Sequence, residues 1–201
     1  MGKEIGMLFS GPMVRAILDG RKTQTRRIIN PQPRVVLAQY GDGSIETNQI
    51  FRHGDQRLRC QVRPGDRIYV RETWGILEDK HHHYCYFVDP QGRSRQQLVG
   101  NRWRPSIHMP KAAARIWLEV TDVRTERLQD ISEKDAIAEG IDMESEFASL
   151  CIDLETAPYS NDLVRNSAAI TVFKKLWEST CGSWDANPWV WAISFKRIEV
   201  K

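Results

Sequence analysis

The stretch "ARIWLEVTDVRTERL", residues 114–128, constrains this chain more than any other part of it. Apolar Ile116, Leu118 and Val120 alternate with Trp117, Glu119 and Thr121, and a period of two belongs to a strand with one buried face. A lone strand of that kind is unstable and requires neighbours. "RIYVRETW" supplies one, with Ile68 and Val70 alternating with Tyr69 and Arg71 behind a Pro64-Gly65 turn. Others are predicted at "MLF" near Met7, at His83 to Val88, and in the closing "PWVWAISFKRIEV".

Helices are few. "GPMVRAILDG" starts at Gly11-Pro12, gathers Met13, Ala16 and Ile17 on an apolar face and stops at Gly20. "ISEKDAIAEG" has capping-box spacing between Ser132 and Asp135, Ile131 as a staple and Gly140 as a stop. "NDLVRNSAAITVFKKLWESTCG" carries Ile170, Phe173, Leu176 and Trp177 on one side and ends at Gly182. Strands that outnumber and separate helices predict an α+β fold, a curled sheet or partial barrel with helices at its rim. The 201 residues suffice for a single domain around one core. Pro31 to Gly65 is turn-rich, with one strand predicted near Val35 to Tyr40, and Met143 to Ser160 is polar.

The net charge of +3 is a mild excess among charges of both signs and does not by itself demand nucleic acid. Cys60, Cys85, Cys151 and Cys181 form no CxxC pair and no apolar leader precedes them, so reduced thiols and a cytoplasmic location are expected. No run is long and apolar enough to span a bilayer, and "MGKEIG" lacks the Ser or Thr of a myristoylation signal. Neither Gly-rich phosphate loop is present, which argues against nucleotide-driven and dinucleotide enzymes, and the zinc deaminase signature is missing. His81, His83 and Cys85 share one face of a strand, with His53 or His108 as a fourth ligand, but neither has ligand spacing; incidental histidines are the simpler reading. No metal and no cofactor are expected. Of seven tryptophans, most fit core packing, and Trp74 at the end of "YVRETW" is the one expected to stack on a substrate.

"GRKTQTRR", residues 20–27, reads in two ways. It is either a solvated basic turn, or Lys22 is an amine base whose pKa is lowered by Arg21, Arg26 and Arg27 so that it can deprotonate the Thr25 hydroxyl. Residues three apart point to opposite faces of a regular strand, so the second reading requires a turn, a bulge or the start of a strand. Glu139, just before the terminating Gly140, sits where the partial negative charge of a helix end disfavours a carboxylate and raises its pKa, which suits a proton shuttle.

"ILDGRKTQTRR" resembles the GRKT-x-T segment of the ASCH domain family, whose fold is similar to the PUA-like open β-barrel associated with RNA. In the small bacterial members that are N(4)-acetylcytidine amidohydrolases, this segment carries a catalytic lysine and threonine, which match Lys22 and Thr25. "LQDISEKDAIAEG" resembles the capped helix bearing their catalytic glutamate and matches it to Glu139, and "WVWAISF" resembles their closing strand. The likeness leaves out long insertions near 31–63, 76–113 and 143–165. It implies deacylation of an acylated cytosine nucleoside without metal: Thr25 attacks or positions water, Lys22 takes the proton and Glu139 moves one to the leaving amine. Arg26 or Arg27 orients ribose or phosphate or polarises the carbonyl, and Glu72 and Trp74 complete the substrate site. The expected partner is a small nucleoside, with no membrane; an RNA-binding module and a ribonuclease are the alternatives.

Overall fold

The computed structural model describes residues 2–33, 36–39, 41, 44–47, 56–78, 83–89, 98–142 and 161–199. In chain order the elements are β1 (Glu4–Leu8), α1 (Gly11–Leu18), β2 (Gln24–Ile28), β3 (Val36–Gln39), β4 (Ile45–Thr47), β5 (Gln56–Leu58) and β6 (Arg67–Arg71). There follow β7 (Trp74–Ile76), β8 (Tyr84–Tyr86), β9 (Trp117–Arg127), α2 (Glu133–Ala138), α3 (Asn161–Thr180) and β10 (Trp189–Ile198). A five-stranded sheet runs in the order β1-β6-β9-β10-β2, while β3-β4-β5 and β7-β8 form two small sheets. The described residues thus make a mixed α+β fold in which sheets dominate and helices are few. β1 pairs parallel to β6, Glu4 opposite Arg67, and the other pairs of the large sheet are antiparallel. The order leaves β1 and β2 as edges, joined by α1.

The 114–128 stretch forms β9 as its period predicts, with one interruption. Pairing with β10 passes from Ser194↔Asp122 to Phe195↔Val120 and leaves Thr121 unmatched, a β-bulge. Thr121 and Asp122 are both exposed, and Val123 takes the core side that Val120 held. Beyond the bulge, Arg124 and Glu126 therefore face the opposite side of the sheet.

That opposite side is covered as well, which corrects the expectation of a single core and one buried face. On one side Val14 and Ile17 of α1 pack with Ile68, Leu118, Val123 and Ile193. On the other, Ala136 of α2 and Phe173 and Trp177 of α3 pack with Leu128 and Val190. A third group, Trp74, Met109 and Ala113, lies beside the β7-β8 hairpin.

Local chemistry sets the helix ends. The Ser132 hydroxyl oxygen accepts from the Asp135 amide at 3.2 Å, a cap worth about 1 kcal/mol, and the staple Ile131 is buried. Pro12 opens α1, and Gly20 follows it at φ 77°. The strand predicted near Val35 to Tyr40 is β3, but β4 and β5 are three-residue strands too short to show a period. β1 begins at Glu4, earlier than "MLF" suggests. Cys60, Cys85 and Cys181 form no disulfide among the described residues, and Cys151 and residues 143–160 lie outside them. No helix among the described residues is long and apolar enough to cross a membrane.

Candidate active site

The chain leaves α1 and meets the end of α2 before β2 begins. The Lys22 amide donates to Ala16 O at 3.0 Å and the Thr23 amide to Ala138 O at 2.8 Å, and an isolated bridge joins Lys22 to Glu139. Gly140 makes the approach possible: it sits at φ 86°, and a Cβ there would lie 2.6 Å from Lys22 Cβ and 2.8 Å from Ala16 Cβ. Lys22 therefore stands where the chain enters β2.

Lys22 Nζ donates to Glu139 Oε2 at 2.7 Å and to the Glu139 backbone carbonyl at 2.8 Å, and Arg26 Nη1 donates to Glu139 Oε1 at 3.1 Å. The side chains of Lys22 and Arg26 are 0% exposed and that of Glu139 is 3%. This is no solvated turn. Of the four cations only Arg21 is well exposed, held by Asp19 and by the Gly140 carbonyl, each at 3.0 Å. Nor is Glu139 an unopposed charge at a helix end, because two cations face it.

Burial lowers the Lys22 pKa from its ordinary 10.5, with Arg27 and Arg26 adding repulsion and Glu139 opposing. Burial thus leads, ahead of the repulsion that the sequence suggests. Desolvation penalises both charges of the pair, so passing the proton from Nζ to Oε2 relieves it on both sides. Such a pair holds one transferable proton.

Arg26, expected to bind substrate, is instead committed to other side chains. Its Nε donates to Glu126 Oε1 at 2.9 Å and its Nη1 to Gln24 Oε1 at 2.8 Å. Arg124 then donates to Glu126 Oε2 at 3.0 Å and to Asp135 Oδ2 at 2.7 Å. The β2-β10-β9 register sets Arg26, Ala192 and Arg124 side by side, and the small Ala192 side chain leaves space for both guanidinium groups. For Asp135 burial acts upward, but the Ser132 hydroxyl, Arg124 and Arg26 outweigh it and hold the carboxyl below its usual value. Sequence reasoning misses Gln24, Arg124 and Glu126, since on a strand they look like ordinary polar alternation; Asp135 is legible there only as a capping residue.

Arg27 has other surroundings. Its Nη2 donates to Leu8 O at 2.6 Å across the gap between the sheet edges, and its guanidinium lies over the Phe9 ring at 5.3 Å. Its Nε is buried with no hydrogen-bond partner among the described residues. Burial pulls its pKa down. Thr25, 2% exposed, lines a cavity of about 20 Å³ with Met13, Arg27, Glu139 and Phe173, space for a single water. Among the described residues Lys22 Nζ bonds Glu139 and not Thr25. Two larger clefts share walls with this cavity: one of about 310 Å³ includes Met13, Glu139 and Gly140, and one of about 390 Å³ includes Arg27, Arg59 and Trp191.

Glu72 and Trp74 stand in a separate cluster. Arg115 grips Glu72 with Nε and Nη2, each at 3.0 Å, reaches Asp89 at 2.5 Å and stacks on Tyr86 at 3.9 Å. Burial pushes the Glu72 pKa up while Arg115 opposes. The Trp74 ring is 4% exposed, covered by Arg104 at 5.0 Å and by the Tyr84 ring at 5.7 Å, so no face is free for a base. Both residues are thereby corrected from substrate contacts to packing. His83 is exposed while Cys85 is buried, and His53 and His81 lie outside the described residues. No three His, Cys, Asp or Glu among the described residues are grouped to hold a metal ion.

No family model matches the chain, and no curated protein matches it. A solved structure, protein EF3133 from Enterococcus faecalis V583, described as DUF984, aligns over 100% of this chain and 83% of that chain at 11% identity and a TM-score of 0.37. A likeness at that level does not establish a shared fold.

Proposed function

We propose that the chain is a metal-independent amidohydrolase that deacylates N(4)-acylcytidine-type nucleosides to cytidine and a carboxylic acid, on a PUA-like open barrel of the ASCH kind. The observation that carries this reading is the buried Lys22–Glu139 pair at 2.7 Å, whose carboxylate walls the same small cavity as Thr25. A buried pair containing a titratable amine is suited to moving protons in a way that an arginine pair is not.

Protons balance through the cycle. The proton of Lys22 passes to Glu139, leaving an amine and an acid. The amine takes the proton of the Thr25 hydroxyl, or of a water held by Thr25, as that oxygen bonds the acyl carbon. Glu139 gives its proton to N4 as the C–N bond breaks, and cytidine leaves as a neutral amine. The pair is then charged as at the start. An acyl group on Thr25 is released by water, and direct attack by water gives the acid at once. Arg27 donates to the carbonyl oxygen as charge develops there, the role that its free Nε suits. Arg26 holds Glu139 and is a positioning residue. Admitting a nucleoside requires the small cavity to open into the clefts that share its walls.

Incubation with N(4)-acetylcytidine tests the reading directly. Cytidine and acetate are expected, at a rate unchanged by chelator. Folded protein that releases no cytidine overturns the proposal, and chelator-resistant cleavage of RNA in its place favours the ribonuclease.

A further inference from the structure

Charge is unevenly distributed along this chain. Between Asp89 and Glu119 there is no Asp or Glu, whereas Arg93, Arg95, Arg102, Arg104, Lys111 and Arg115 all fall in this interval. The interval thus carries six positive charges in a chain whose net charge is +3. All of these cations but Arg115 fall within the 76–113 insertion, outside the segments that resemble a known family.

Two of these cations are neutralised locally. Arg115 binds Glu72 and Asp89, and Lys111 pairs with Glu4. Among the described residues Arg102 and Arg104 pair with no carboxylate. Together with Trp103, Pro105 and His108 they line a cavity of about 530 Å³, within the range of small-ligand sites. Trp103 packs edge-to-face with Phe87, ring centroids 5.5 Å apart, and Phe87 is 60% exposed. Stacking beneath Arg104 on Trp74 fixes that guanidinium at the cavity wall. Cations without a carboxylate partner beside the Trp103 ring in a concavity, with the exposed Phe87 ring packed against Trp103, match a polyanion whose units carry π faces. An acidic peptide offers the charge without the rings, and a lipid surface requires a protruding apolar element rather than a hollow.

We propose that this cavity is a docking surface for single-stranded nucleic acid, with bases stacked on the Trp103–Phe87 pair and phosphates on Arg102 and Arg104. It is a second site, built by other elements than the Thr25 cavity, and it does not depend on the chemistry assigned there.

The test is fluorescence anisotropy of the full chain with a labelled single-stranded 12-mer, in RNA and DNA forms, from 50 to 200 mM salt. Binding that weakens with salt is expected. Arg102→Glu, at an exposed position, should weaken binding about tenfold and lower the salt slope by about 0.7 for each phosphate that is no longer neutralised. Trp103→Leu should weaken it roughly 5- to 100-fold. Both variants should keep the wild-type melting temperature, and neither should alter turnover of free N(4)-acetylcytidine. The proposal is overturned by no binding at 50 mM salt, by affinity unchanged in both variants, or by displacement by heparin with Trp103→Leu silent, which marks a mere polyanion patch. Equal affinity for a mononucleotide also overturns it, in favour of a small-molecule pocket.

Discussion

Among the described residues two carboxylates are almost wholly buried, Glu139 at 4% and Glu72 at 1% exposure, and both are held by cations. Around Glu72 every partner is fixed. One guanidinium grips both oxygens, lies flat on Tyr86 and reaches a second acid, so the cluster ties the chain near Asp89 to the start of β9. Around Glu139 the two oxygens are divided between an arginine and a lysine, and the carboxylate borders a cavity. The contrast separates a clamp from a reactive centre: burial of an ion pair is common to both, and what differs is a partner able to release its proton and space beside it for a reactant.

Lys22→Arg is the sharpest way to break the comparison, because it turns the Glu139 centre into a copy of the Glu72 clamp. Turnover of N(4)-acetylcytidine should fall about a thousandfold, as it should for Thr25→Ala, with folding retained by circular dichroism. Wild-type rates in either variant would remove the amine base from the mechanism.

The converse substitution, Glu72→Ala, strands Arg115 in a partly buried position. About 3 kcal/mol of stability should be lost in urea unfolding, while the folded fraction keeps its kcat. A drop in kcat without a loss of stability would return Glu72 to the catalytic site.

Glu139→Gln comes next, with turnover lower by about 100-fold. The sign of the pH effect follows from the lowered Lys22 pKa: the pair gives up its one transferable proton as pH rises through a range below the ordinary 10.5. The rate should fall there, because an amine beside a carboxylate leaves no acid for N4; in Glu139→Gln this falling limb should vanish and the rate should rise as Lys22 becomes an amine. A falling limb that survives in Glu139→Gln assigns the relay elsewhere.

The smallest effect is expected at Glu126→Gln. Arg26 then loses one carboxylate and grips Glu139 less firmly, so kcat should drop by about tenfold with KM little changed. An effect on KM alone would make Arg26 a substrate contact after all.

Much of the frame is legible in the sequence because it rests on short-range periodicity. The alternation of Ile116, Leu118 and Val120, the Ser132 cap and the Gly140 stop are local signals, and each forms as read. The meeting of Lys22 with Glu139 is reachable only by family likeness, since 117 residues separate them and no pattern in either stretch points to the other. The fate of the arginines is not legible at all. Adjacent in sequence, Arg26 and Arg27 alternate across a strand and meet different surroundings, one a pair of acids and the other a carbonyl and a phenyl ring. Trp74 misleads for a related reason, because its cover, Arg104, comes from thirty residues downstream.

The extra residue in β9 has a bearing on which sequence changes this site can survive. A strand obeys a parity rule, and Thr121 inverts that parity once, between the half that packs under α1 and the half that serves α2. Because Thr121 is exposed, the identity of its side chain matters little. What counts is the bulge that absorbs it. Removing the residue would leave plain alternation, Val120 inward, Asp122 outward and Val123 inward, opposite the same β10 partners, so Arg124 and Glu126 would still face Arg26 and Asp135. Keeping the residue while flattening the bulge would instead swing Arg124 and Glu126 into the apolar layer beside Ile193. Position 121 is thus open to substitution and to deletion alike, and the proton-bearing pair depends on a strand that can swallow one residue without passing the shift along.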